Sequence, residues 1–117
     1  MVDMQKYTID VMIITCIVER GEADDVVEAA KKAGAKAATI YFARGTGIRE
    51  RLGLLGIAIQ PEKEIIEIGV HPSRADVVFN AMAEAGKLHL PGKGFIYMTQ
   101  AVKALTYIPE TMDPPQP

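Results

Sequence analysis

The chain matches itself. Shifted by 52 residues, Ile13, Ile14 and Val18 fall on Ile65, Ile66 and Val70. Ala23, Asp24, Val26, Ala29, Ala33 and Gly34 fall on Ala75, Asp76, Val78, Ala81, Ala85 and Gly86. The match needs no gap between residues 13 and 34, and Val27 on Phe79 and Ala30 on Met82 keep the apolar character. An ungapped match across a strand, a turn and a helix makes the chain two copies of one supersecondary unit.

Each copy reads as strand, helix, strand. Tyr7–Val18 is apolar and β-branched, which predicts a buried strand that Gly21 breaks. Glu22, Asp24 and Asp25 put negative charge in a first helical turn, where the helix dipole favours it. Val26, Val27, Ala30 and Ala33 form the apolar face, Lys31 and Lys32 occupy the last turn, and Gly34 ends the helix. Ala37–Phe42 is the second strand. In the second copy Ile65–Val70 is a strand and Pro72 starts a helix. Val77, Val78, Ala81, Met82 and Ala85 form its buried stripe, Gly86 closes it, and Phe95–Met98 is the last strand. The order βαββαβ predicts an α+β, ferredoxin-like fold: a four-stranded antiparallel sheet with two helices on one face. The strands are apolar on both alternations, Met12, Ile14 and Cys16 against Ile13, Thr15 and Ile17. The helices cover one face only, so the other is expected to be buried by self-association.

The 117 residues suit one domain. A single cysteine excludes a disulfide scaffold, and two histidines supply little for a zinc site. A net charge of −2 with 6% aromatic residues gives no footprint for nucleic acid. No apolar run spans a membrane and no signal-peptide pattern is present, so a cytoplasmic protein is expected.

Three segments lie outside the repeat. Arg44–Gln60 is long for a hairpin connection and carries Arg44, Arg49 and Arg51 near Gly45 and Gly47. Three guanidinium groups suit a carboxylate or phosphate; the alternative is a solvated loop. Leu52, Leu54, Leu55 and Ile57 in the same stretch favour docking against something. Lys87–Gly94 holds Gly92, Lys93 and Gly94, which can cradle a phosphate or simply make a turn with positive φ. The tail from Pro109 is proline-rich and is expected to be mobile. His71 and His89 are 18 residues apart with no partner at ligand spacing. Cys16 reads as inert core, because no base or cation is adjacent in sequence. Glu62, Glu64 and Glu67 flank the third strand without a catalytic pairing. No nucleophile elbow or triad is present, so no enzyme is expected.

These residues resemble the P-II nitrogen-regulatory signal proteins over roughly residues 7–108. Arg44-Gly45-Thr46-Gly47 resembles the basic-Gly-aromatic-Gly step into the family's T-loop, and Lys63 with Ile66-Glu67-Ile68 resembles the exit. Ala85-Gly86-Lys87-Leu88 resembles Thr-Gly-Lys-Ile at the start of the B-loop. Gly92-Lys93-Gly94 before Phe95-Ile96-Tyr97 resembles Gly-Asp-Gly and its strand. The resemblance implies one domain, residues 1–108, with a T-loop-like segment at 44–62 and a B-loop-like segment at 86–94. It implies a homotrimer with sheets facing inward and no enzymatic activity. ATP, ADP or another adenine nucleotide is implied in clefts between subunits. Gly45, Gly47, Arg49, Lys63, Gly86, Lys87, Gly92, Lys93, Gly94 and Lys103 are the binding residues that it implies. Arg44, Arg49, Arg51, Leu52, Leu54 and Leu55 would meet a protein partner, a transporter or a metabolic enzyme.

The departures are specific. Ile48 and Arg49 replace the family's arginine and glutamine, Lys93 replaces the B-loop aspartate, and Thr106 and Ile108 fall near the two C-terminal arginines. Two alternatives come from other classes: a trimeric metal-binding protein of the divalent-cation-tolerance type, and an interaction module that needs no ligand.

Overall fold

The computed structural model describes residues 1–45 and 62–108. A 3₁₀ turn (Met4–Tyr7) leads into β1 (Thr8–Ile9), β2 (Met12–Glu19), α1 (Ala23–Lys32) and β3 (Thr39–Arg44). Then follow β4 (Glu62–Val70), α2 (Pro72–Ala85), β5 (Gly94–Gln100) and β6 (Ala104–Leu105). The main sheet has the order β3-β4-β2-β5, antiparallel throughout. With two helices packed on it, this is the expected ferredoxin-like fold.

Register explains the core. Ile14 stands opposite Ile68 on one side and Met98 on the other, and Cys16 stands opposite Ile66 and Ile96. Directly opposed residues share a face. Ile14, Cys16, Val18, Ile66, Ile68 and Val70 are all buried in one cluster. Ala23, Val26 and Ala30 of α1 and Ala75, Val78 and Met82 of α2 complete it. These six buried positions of one half map onto the six of the other at the 52-residue offset, so the repeat is a repeat of core positions.

The opposite face carries Ile13, Thr15, Ile17, Ile65, Tyr41, Phe95 and Tyr97. In the single chain Phe95 is 60% exposed, Tyr97 41% and Tyr41 42%. The Phe95 and Tyr97 rings lie 5.7 Å apart, centroid to centroid. An apolar, aromatic sheet face is thus left open, as the strand pattern predicted.

Several boundaries differ from the sequence reading. The expected strand Tyr7–Val18 is broken at Asp10-Val11: Tyr7 closes the 3₁₀ turn, and β1 leaves the main sheet to pair with β6. The second strand is displaced to Thr39–Arg44, because its pairing with β4 starts at Thr39 opposite Glu67. Glu62, Glu64 and Glu67 lie inside the third strand, β4, rather than beside it. The last strand extends from Gly94 to Gln100 because β2 pairs with it along that length. Val77 is exposed, so the stripe on α2 is narrower than expected.

The helix ends differ too. In α1 the Gly34 and Ala35 N–H groups donate to the Lys31 and Ala30 carbonyls at 3.1 and 2.9 Å, with Gly34 left-handed. In α2 the same motif falls one position later. Lys87 and Leu88 donate to Glu84 and Ala83 at 3.1 and 3.0 Å, and Lys87 takes the left-handed conformation at φ 54°. Gly86 caps α2 as expected, with φ −82°, and its lack of a side chain is a packing requirement. A Cβ there would sit 3.3 Å from Leu88 and Val26 side-chain atoms.

Candidate functional site

Pairing brings the special segments to one end of the sheet. Val18 stands opposite Glu64 on one side and Gly94 on the other; Glu19 faces Lys63, and Arg44 faces Glu62. The entry to the long loop at Gly45, its exit at Lys63 and the loop ending at Gly94 therefore flank the β2–α1 turn. A Cβ on Gly45 would lie 3.5 Å from Lys63 Cγ, an ordinary contact, so the two stems touch without forbidding a side chain. Gly94 is stricter. It has φ +145°, and a Cβ would fall 2.2 Å from the Ile17 carbonyl oxygen. Gly92, at φ 75°, also sits where L side chains are strained. Lys87 and Lys93 belong to the same loop, and the Leu90 N–H donates to the Lys87 carbonyl at 2.9 Å.

The β2–α1 turn is tied to the loop exit. The Arg20 guanidinium pairs with the Glu62 carboxylate, and the Arg20 N–H donates to the Glu62 carbonyl at 3.3 Å. Glu22 caps α1 with no side-chain bond. Glu64, from β4, supplies the acceptor: its Oε1 takes the Gly21 N–H at 2.5 Å and the Ala23 N–H at 3.3 Å. A carboxylate at free N–H groups with a helix dipole behind them is a favourable cap. Beside this network lies an open cleft of about 410 Å³, lined by Arg20, Phe42, Ala43, Arg44 and Glu62. Neither Arg20, Phe42, Glu62 nor Glu64 was singled out for a site from sequence. Arg20 meets Glu62 and Gly21 meets Glu64 across about 40 residues, and only strand register reveals these pairings.

Lys103 does not join them within one chain. It follows β5, whose Gln100 stands opposite Met12. Six positions along β2 separate that end from Val18, about 20 Å at the usual rise per residue. Gly47, Arg49, Arg51, Leu52, Leu54 and Leu55 lie outside the described residues, as does the tail from Pro109. On the open face the Tyr41 hydroxyl donates to Glu67 Oε1 at 3.0 Å, which raises its pKa. His71 is the N-cap of α2, its Nδ1 accepting the Ser73 N–H at 3.1 Å. Cys16 is buried, and desolvation pushes its thiol up to about 11. Among the described residues no group of three or more His, Cys, Asp or Glu is placed to hold a metal. No described helix is long and apolar enough to cross a membrane.

The family model for nitrogen regulatory protein P-II matches residues 11–106. The chain belongs to the P-II family. Two solved P-II structures share its fold. Arabidopsis thaliana PII bound to citrate superposes with a TM-score of 0.60 at 21% identity, over 76% of this chain and 75% of that one. B. subtilis GlnK in complex with ATP gives 0.62 at 18% identity, over 79% and 82%. No curated protein matches the sequence. The P-II match spans both halves of the repeat, both loop stems and β6, so it is the whole βαββαβ unit that belongs to the family.

Proposed function

We propose that the protein is a trimeric P-II-type regulator. It senses a small anionic effector of the adenine-nucleotide class in clefts between copies and signals to a transporter or metabolic enzyme through loop 44–62. The observation that carries this reading is the convergence of Gly45, Lys63, Lys87 and the Gly92–Gly94 turn at one end of a sheet whose second face is open and aromatic. Burying that face between copies would bring these loop ends beside a neighbouring chain. It would also let a second copy deliver Lys103, which one chain holds at the far end of its own sheet. The P-II relatives bound to citrate and ATP support an anionic ligand of this size.

Lysines and backbone N–H groups recognise phosphate by charge and donor geometry. A ligand held between copies would couple its presence to the posture of the loop whose stem it touches. No observation among the described residues favours the metal-binding alternative. Isothermal titration with ATP, ADP, AMP and cyclic nucleotides, with and without Mg²⁺, tests the reading. Saturable binding of at least one, weakened by Gly92→Val and Lys93→Ala, is expected; no heat with any of them removes the nucleotide sensor.

A further inference from the structure

The cleft between the β2–α1 turn and the end of β3 is not part of the open sheet face. Phe42 stands opposite Glu64, and Arg44 opposite Glu62. Counting by twos from Ile40 and Ile66, these residues point to the helix side of the sheet, whereas Tyr41, Ile65, Phe95 and Tyr97 point to the other. The cleft therefore opens on the side of the sheet away from the aromatic face, next to the loop stems at Gly45 and Lys63.

Its lining has a distinct chemistry. Phe42 is 70% exposed on a strand, a placement that leaves a large ring face in water. Arg20 is neutralised by Glu62, and among the described residues Arg44 has no ion-pair partner. The lining residues therefore sum to about one unit of positive charge, two residues along the strand from an exposed ring, while the Glu64 carboxylate opposite Phe42 is engaged by the Gly21 and Ala23 N–H groups. Its volume, about 410 Å³, falls within the ordinary range for small-molecule sites.

We infer that this cleft is a second ligand site, selective for a small organic carboxylate with a flat apolar body. The carboxylate meets the Arg44 guanidinium, whose fork matches it bidentately. The flat body covers Phe42, removing both apolar surfaces from water. With Arg20 and Glu62 paired, Arg44 alone matches one negative charge, so a dianion such as phosphate keeps a charge unmatched.

The test uses three probes on the full-length ¹⁵N-labelled chain: benzoate for charge plus ring, inorganic phosphate for charge alone, and benzyl alcohol for the ring alone. Benzoate is expected to shift the Arg20, Phe42, Arg44 and Glu62 amides saturably in the millimolar range, with an affinity at least tenfold above either other probe. Arg44→Gln and Phe42→Ala should each weaken benzoate at least fivefold, while Lys31→Gln, in the last turn of α1, should leave it unchanged. All three positions are exposed, and retained amide dispersion verifies the fold. Absence of saturable shifts, or an affinity indifferent to Arg44→Gln, overturns the site. Equal binding of phosphate and benzoate overturns its selectivity. Competitive displacement of benzoate by a nucleotide shows that the cleft belongs to the nucleotide site and overturns its separateness. Nucleotide binding without benzoate binding, or the reverse, separates failure of this site from failure of the sensor.

Discussion

At the residue scale, backbone geometry explains the glycine at the end of the second loop before any ligand is invoked. Gly94 must lack a Cβ because the Ile17 carbonyl occupies its space. Gly94→Ala is expected to destabilise the fold by about 2–5 kcal/mol in urea unfolding, combining strained φ with a clash. A loss below about 0.5 kcal/mol would contradict that packing. Glu64 acts across the sheet: Glu64→Ala should cost about 1–2 kcal/mol, because the start of α1 loses its acceptor. Cys16 gives a pH signature. Its thiol is raised to about 11 in the folded state, against 9.0 without burial. The folded chain therefore holds the proton more tightly than the unfolded one. That stabilisation is complete below pH 9 and is lost as pH climbs from about 9 to 11, by at most about 2–3 kcal/mol. Cys16→Ala should flatten this part of the stability–pH curve, and an unchanged slope would show that Cys16 does not set it.

At the element scale, the repeat made the strands and helices legible. The six buried strand residues and six buried helix residues recur at one offset because each half packs the same way onto the shared core. The strand ends were less legible. Alternation does not tell where pairing stops, so β3 and β5 end where their partner strands end. The split of the first strand was invisible because β1 pairs with β6, almost a hundred residues away. The site was legible as two glycine-bearing loops, but not as a cluster. Arg20 and Glu62, or Gly21 and Glu64, meet only once the register is set. Gly86 closes α2 as expected, but the left-handed position at that end is Lys87. Lys87→Gly should raise stability by about 0.5–1 kcal/mol by releasing that strain. The same change should weaken nucleotide binding if the ammonium group serves the site. Gained stability with unchanged affinity would leave Lys87 a purely structural role.

At the scale of the whole molecule, the chain supplies half of what it needs. One sheet face is closed by its own helices, and the other presents Phe95, Tyr97 and Tyr41 to water. Phe95→Glu should leave the fold intact, because the side chain is already exposed in one chain, yet abolish assembly by placing a charge in an apolar contact. The direct measurement is a native mass spectrum of the full-length protein, recorded with and without added ATP and ADP. The account predicts an assembly of three times 12.7 kDa that gains the mass of up to three nucleotides. A chain that stays at 12.7 kDa and takes up none would contradict it.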